Sequence, residues 1–165
     1  MARGAKIYVP SAPLGSKAYG FIVEDSQHNI TLTGLDMTSP RDQEGELISG
    51  TKPKYTDGFK CSNAHHISIY QDVCHLTIRD YKSDGANGAI SFRAHVTENP
   101  NPRSNLLFEN VWITNASMPI SGGHGANGIT FNKLYISCAD TTRKYHAVYL
   151  RTGMKNVRFN NFYIY

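Results

Sequence analysis

Residues 147–164, AVYLRTGMKNVRFNNFYI, contain two short alternating runs joined by a turn at Gly153. Val148 and Leu150 share one side of the first run. Val157 and Phe159 share one side of the second, continued by Phe162 and Ile164. Apolar residues at every second position mark strands that bury one face. Residues 20–37, GFIVEDSQHNITLTGLDM, repeat the block. Phe21, Val23, Ile30, Leu32, Leu35 and Met37 stand where Val148, Leu150, Val157, Phe159, Phe162 and Ile164 stand later. Self-similarity of this kind points to a solenoid, in which each repeat buries its apolar face against the next.

The remaining runs extend the pattern. Taking Phe59 and Cys61 as the first strand of a second coil places Ile67 and Ile69 in its second strand and Leu76 and Ile78 in its third. Ile90 and Phe92 open a third coil, completed by Leu106, Phe108, Val111 and Ile113. Ile120 and Gly122 open a fourth, completed by Ile129, Phe131, Leu134 and Ile136. The anchors of the first strand are therefore Phe21, Phe59, Ile90, Ile120 and Val148, and a coil takes roughly 22–30 residues. Residues 38–55 and 96–104 are polar, Pro-bearing loops, of the kind that a solenoid carries on its binding face. Gly-Ala-Asn-Gly occurs at 85–88 and 125–128, and Asn29, Asn105 and Asn156 each precede a second strand. Such residues tolerate left-handed backbone and are expected to stack as ladders. No helical period is sustained. The expected fold is all-β: a single right-handed parallel β-helix of about five coils over residues 18–165, preceded by an N-terminal arm at 1–17.

The 165 residues suffice for one domain with a real core. The formal net charge of +4 is spread along the chain, so nucleic acid is not an expected partner. Nor is a membrane, because no apolar run approaches the ~18 residues of a span. The first residues lack the apolar centre of a signal peptide. Cys61, Cys74 and Cys138 are odd in number and widely spaced, which argues against a disulfide framework or a metal site. They read as small buried residues. His65-His66 is a tempting metal pair, but neighbours on a strand point to opposite faces, so the pair reads as a turn into a second strand. No metal or other cofactor is implied.

The segments SNLLFENVWI and KNVRFNNFYI share an N-[ILV]-x-[FIL] core with a later aliphatic residue, and ANGITFNKLYI carries the same core with Gly128 after its Asn. Over residues 20–165 the chain resembles the right-handed parallel β-helices of the pectin-lyase-like superfamily, which includes pectinases, polygalacturonase-like proteins and bacteriophage tailspikes. The resemblance implies a polysaccharide partner and an extracellular or virion-associated location. It leaves activity open between hydrolase, lyase and inert stalk. Polygalacturonases carry NTD, DD, GHG and RIK in that order. Here Thr56-Asp57-Gly58, Gly123-His124-Gly125 and Leu150-Arg151-Thr152 follow the same order. The place of the aspartate pair holds Asn87-Gly88, a departure that puts that hydrolytic mechanism in doubt.

Stacking equivalent positions yields outward rows. One holds Glu24, Ser62, Arg93, Gly123 and Arg151; the next holds Asp25, Asn63, Ala94, His124 and Thr152; a third holds Ile22, Lys60, Ser91, Ser121 and Tyr149. Glycoside hydrolysis needs two carboxylates about 5–9.5 Å apart, and Asp57 with Glu24 is the candidate pair. A lyase needs a base beside a charge-neutralising group, for which Arg151, with Arg93 and His124, is the candidate. Asp25, Lys60, Arg93, His124 and Tyr149 are the expected substrate-binding residues, since Arg forks and aromatic faces suit sugars. The expected function is a carbohydrate-recognising and, if the carboxylate pair forms, carbohydrate-cleaving β-helix. The alternative is a non-catalytic structural or adhesive β-helix of a virion fibre or surface protein, favoured by aromatics such as Tyr70, Tyr135, Tyr149 and Tyr163. A last strand as apolar as 157–164 invites cover by a homotrimer or by further domains of a longer protein.

Overall fold

A computed structural model describes residues 5–10, 17–24, 26–39, 64–93, 103–122, 125–137, 146–151 and 153–165. Among them every regular element is a strand, and no helix is long and apolar enough to cross a membrane. The strands are β1 (Lys6–Tyr8), β2 (Ala18–Val23), β3 (His28–Thr33), β4 (Asp36–Thr38), β5 (Ala64–Ile69), β6 (Cys74–Asp84), β7 (Gly88–Phe92), β8 (Arg103–Thr114), β9 (Met118–Gly122), β10 (Ala126–Ser137), β11 (Val148–Leu150) and β12 (Met154–Ile164). They form two sheets. The shorter has the order β11-β9-β7-β5-β2. The longer has the order β1-β4-β6-β8-β10-β12, with β3 also beside β6. Every pairing is parallel. From β5 onward the chain alternates between the sheets, strand by strand, so each sheet stacks in sequence order.

The alternating runs explain the rows. In the long sheet Leu76, Leu106, Ile129 and Val157 share one row, and Ile78, Phe108, Phe131 and Phe159 the next. Phe108, Phe131 and Phe159 stack with ring centroids 4.7 and 4.9 Å apart. In the short sheet Phe21, Ile67, Ile90, Ile120 and Val148 form one row. All but the two end members of that row are fully buried.

Ile67 and Ile69 therefore lie in the short sheet, beside Phe21 and Val23, rather than in the second strand of their coil. Leu76 and Ile78 continue the row of Ile30 and Leu32 and are second-strand, not third-strand, residues. Phe59 and Cys61 lie outside the described residues, and the strand position assigned to them belongs to Ile67 and Ile69. The cause is physical. Two apolar residues at i and i+2 satisfy the same pattern wherever a long insertion lets them fall, and register is settled by the partner strand.

What were expected as separate second and third strands are continuous from β6 onward. Each bends at a residue with positive φ: Asp80, Asn110, Lys133 and Asn161, in register with Gly34. Asn29, His75, Asn105, Gly128 and Asn156 form a second left-handed ladder near the strand starts. The Gly-Ala-Asn-Gly copies, by contrast, are not equivalent. The one at 85–88 leads into β7 of the short sheet, and the one at 125–128 leads into β10 of the long sheet.

Candidate functional site

The predicted strip lies at the end of the short sheet. Val23, Ile69, Phe92, Gly122 and Leu150 share a row, so Glu24, Tyr70, Arg93 and Arg151 follow on one line. Backbone hydrogen bonds fix it: Tyr70 N–H donates to Val23 O, Arg93 N–H to Ile69 O, and Arg151 N–H to Gly122 O. Tyr70 takes the place expected for Ser62. Ser68, in register with Ile22 and Ser91, takes the place expected for Lys60. Lys60 thus loses its assigned row, and Lys60, Asp25, Asp57 and His124 themselves lie outside the described residues. Arg151 lies over the Tyr149 ring at 5.9 Å, and His146 stacks on that ring at 4.9 Å. Successive rungs are about 4.8 Å apart, so Glu24 and Arg93 stand two rungs from each other. Glu24 is the one carboxylate on this line among the described residues.

The outward row is not the solvated polar strip that the alternation suggests. Ser68 is fully buried, Ser91 is 1% exposed and Ser121 9%. Beside them lies a cluster that spacing did not single out. The buried His65 Nδ1 is 3.1 Å from Ser91 Oγ, and its ring stacks with Tyr19 at 5.7 Å. Arg93 Nη2 lies 2.9 and 3.0 Å from the two ring nitrogens and donates to the one that carries no proton. Burial, together with the Arg93 and Lys17 charges, pushes the His65 pKa down to about 3. An imidazole held neutral so far below neutrality is a weak base, which disfavours it as a proton acceptor in catalysis near pH 7. His66 meets other groups: Ser39 Oγ at 2.8 Å and Ser83 Oγ at 2.7 Å. The two rings do point apart, but they sit in β5 rather than in a turn.

Cys74 departs from the buried-thiol reading. It is half-exposed, and its Sγ lies 2.6 Å from His28 Nδ1 on the next rung. Among the described residues no cluster of His, Cys, Asp or Glu has the makings of a metal site.

An open groove lies elsewhere, on the outer face of β8, β10 and β12. It measures about 680 Å³ and is lined by Asn105, Leu107, Asn127, Thr130, Asn156 and Arg158, among others. The left-handed ladder places the Asn105 and Asn156 amides here, and Asn156 Nδ2 donates to Asn127 Oδ1 at 2.7 Å. Thr130 and Arg158 are in register on adjacent rungs. The sequence held one signal for this groove, the recurrent Asn before each second strand, which was read as turn chemistry alone. A further row runs along the same sheet after the bend. Trp112, Tyr135 and Tyr163 are in register and stack at 4.4 and 5.9 Å.

No family model, curated protein or solved structure matches the chain.

Proposed function

We propose that the chain is a right-handed parallel β-helix of about five coils, of the pectin-lyase-like kind, that recognises a polysaccharide. Strands that alternate between two parallel sheets, each stacked in sequence order, support a coiled path around the shared core. Parallel crossovers are right-handed in about 98% of cases, which supports the hand. The observation that carries the binding function is the open groove of about 680 Å³ along β8, β10 and β12. Its repeated amides, a hydroxyl and the Arg158 fork match the hydroxyl-rich edge of an extended glycan, one sugar after another along the stack.

Cleavage has weaker support. Among the described residues Glu24 has no second carboxylate on its line, and hydrolysis needs a pair. The test is retardation of the protein in gels cast with acidic and neutral polysaccharides, run beside assays for reducing ends and for absorbance near 235 nm. Wild type should be retarded by at least one polysaccharide, and Arg158→Ala should weaken that binding about tenfold. Neither assay should register product. Reducing ends that vanish in Glu24→Ala or Asp57→Ala would instead make the chain a hydrolase, and absorbance lost in Arg151→Ala would make it a lyase. Failure of every polysaccharide to retard the protein would sink the binding reading. The structural or adhesive alternative, a module of a virion fibre or surface protein, would then stand. The exposed ring row of Trp112, Tyr135 and Tyr163 favours it.

A further inference from the structure

We propose that the outer face of β5 and β7 carries a small oxyanion site, formed by the Arg93 guanidinium, the Lys17 ammonium and the Ser68 hydroxyl. The site takes a carboxylate, sulfate or phosphate group. It lies on the short sheet, away from the groove, and does not depend on the polysaccharide reading.

Among the described residues, two polar groups here are buried without partners. Ser68 is fully buried, and its Oγ makes no hydrogen bond. Its neighbour on the next rung, Ser91, is satisfied by His65. Arg93 commits one terminal nitrogen to His65, while its Nε is buried and unpaired. Buried donors are almost always satisfied, so two orphans on one small patch point to a missing acceptor. Ser68 and Arg93 face the same side on adjacent rungs, since Ser91, in register with Ser68, stands two residues before Arg93 along the chain.

Charge makes the same demand. Lys17 and Arg93 stand close enough that Arg93 lowers the Lys17 pKa, after the effect of burial. Among the described residues neither cation meets a carboxylate at ion-pair distance. Glu24, on the Arg93 line, is two rungs away, and the ion pair formed by Arg79 and Glu109 belongs to the other sheet. His65 adds no third charge, because burial and the two cations hold it neutral. Its ring fixes one arm of the guanidinium and leaves Nε free to donate. An oxyanion accepts from Nε and from the Ser68 hydroxyl while neutralising Lys17, the charge-assisted geometry that guanidinium groups favour.

The test is titration of sulfate, phosphate and glucuronate, at constant ionic strength, into isotopically labelled protein. The Arg93 Nε–H and His65 ring resonances should shift to saturation with at least one anion. Saturation with glucuronate alone identifies the acidic group of a sugar. Saturation with sulfate or phosphate identifies a free inorganic anion. Arg93→Gln should raise Kd at least about tenfold and Lys17→Gln about threefold. Lys17 is exposed, so its variant keeps the test meaningful if Arg93→Gln folds poorly. A linear response to every anion, or wild-type affinity in the Lys17→Gln protein, would overturn the site. Retention on neutral polysaccharide and its loss in Arg158→Ala report the other face, so failure of one reading is distinguishable from failure of the other.

Discussion

The imidazole of His66 lies between two serine hydroxyls, and the count of protons around it leaves one tautomer. Ser39 Oγ donates its only hydrogen to Val9 O at 2.8 Å, so toward His66 it can only accept. Nε2 therefore carries the proton, and Nδ1 accepts from Ser83 Oγ. Burial holds the His66 pKa down to about 4 from 6.5, against a smaller upward pull from Asp84. On acidification the unfolded chain takes up the proton first. The contribution is complete above about pH 6.5, is lost as pH falls toward 4, and changes no further below that. Two and a half pKa units correspond to about 3 kcal/mol. His65 shifts in the same direction. Urea unfolding at pH 7 and pH 4.5 should show a loss of about 2–3 kcal/mol per histidine. His66→Gln retains a donor and an acceptor and should remove the His66 share, about half of the combined loss from the two histidines. An unchanged pH dependence in His66→Gln would rule out this role.

At the scale of the strand, a ladder of left-handed residues sets where each long strand bends. Asn, Asp and Gly suit this conformation, and Lys133 does not. Lys133→Asn should therefore raise the melting midpoint, by an amount equivalent to about 0.5–1 kcal/mol. Gly122 has φ +136°, and a Cβ there would strike the Phe92 carbonyl oxygen on the next rung. Gly122→Ala should cost about 2 kcal/mol or more, because backbone, not a flexible side chain, must move. A midpoint in Gly122→Ala equal to wild type would refute the packing account. These elements also show how much was legible. Strands from β7 onward follow the apolar alternation directly, and Asn29, Asn105 and Asn156 do align as the turn chemistry suggested. The second coil was misregistered because residues 38–55 hide how far the chain travels before pairing resumes, and Phe59 and Cys61 imitate the spacing of Ile67 and Ile69. Of the predicted site, Glu24, Arg93 and Arg151 fall on one line as expected, since they follow strands read correctly. The burial of Ser68 and the meeting of His65 with Arg93 depend on what packs over a face. No local pattern encodes that.

At the scale of the whole molecule, β12 stands last in the order of the long sheet among the described residues. Its Val157, Phe159, Phe162 and Ile164 are in register with Ile129, Phe131, Leu134 and Ile136, all buried in β10. In β12, Phe162 is 56% exposed and Ile164 43%. Tyr163 and Tyr165 add exposed rings at the same edge, with the Tyr165 hydroxyl against that of Tyr135. Among the described residues, main-chain groups along the far side of this 11-residue strand have no strand partner. An apolar edge of that length templates further pairing. The 165-residue chain should therefore self-associate through β12, with mass rising with concentration in sedimentation experiments. Phe162→Lys together with Ile164→Lys should abolish the association while moving the melting midpoint little, because both side chains are already exposed and add little to the monomer's core. Mass that stays monomeric at high concentration would refute the prediction, as would association that survives the double substitution.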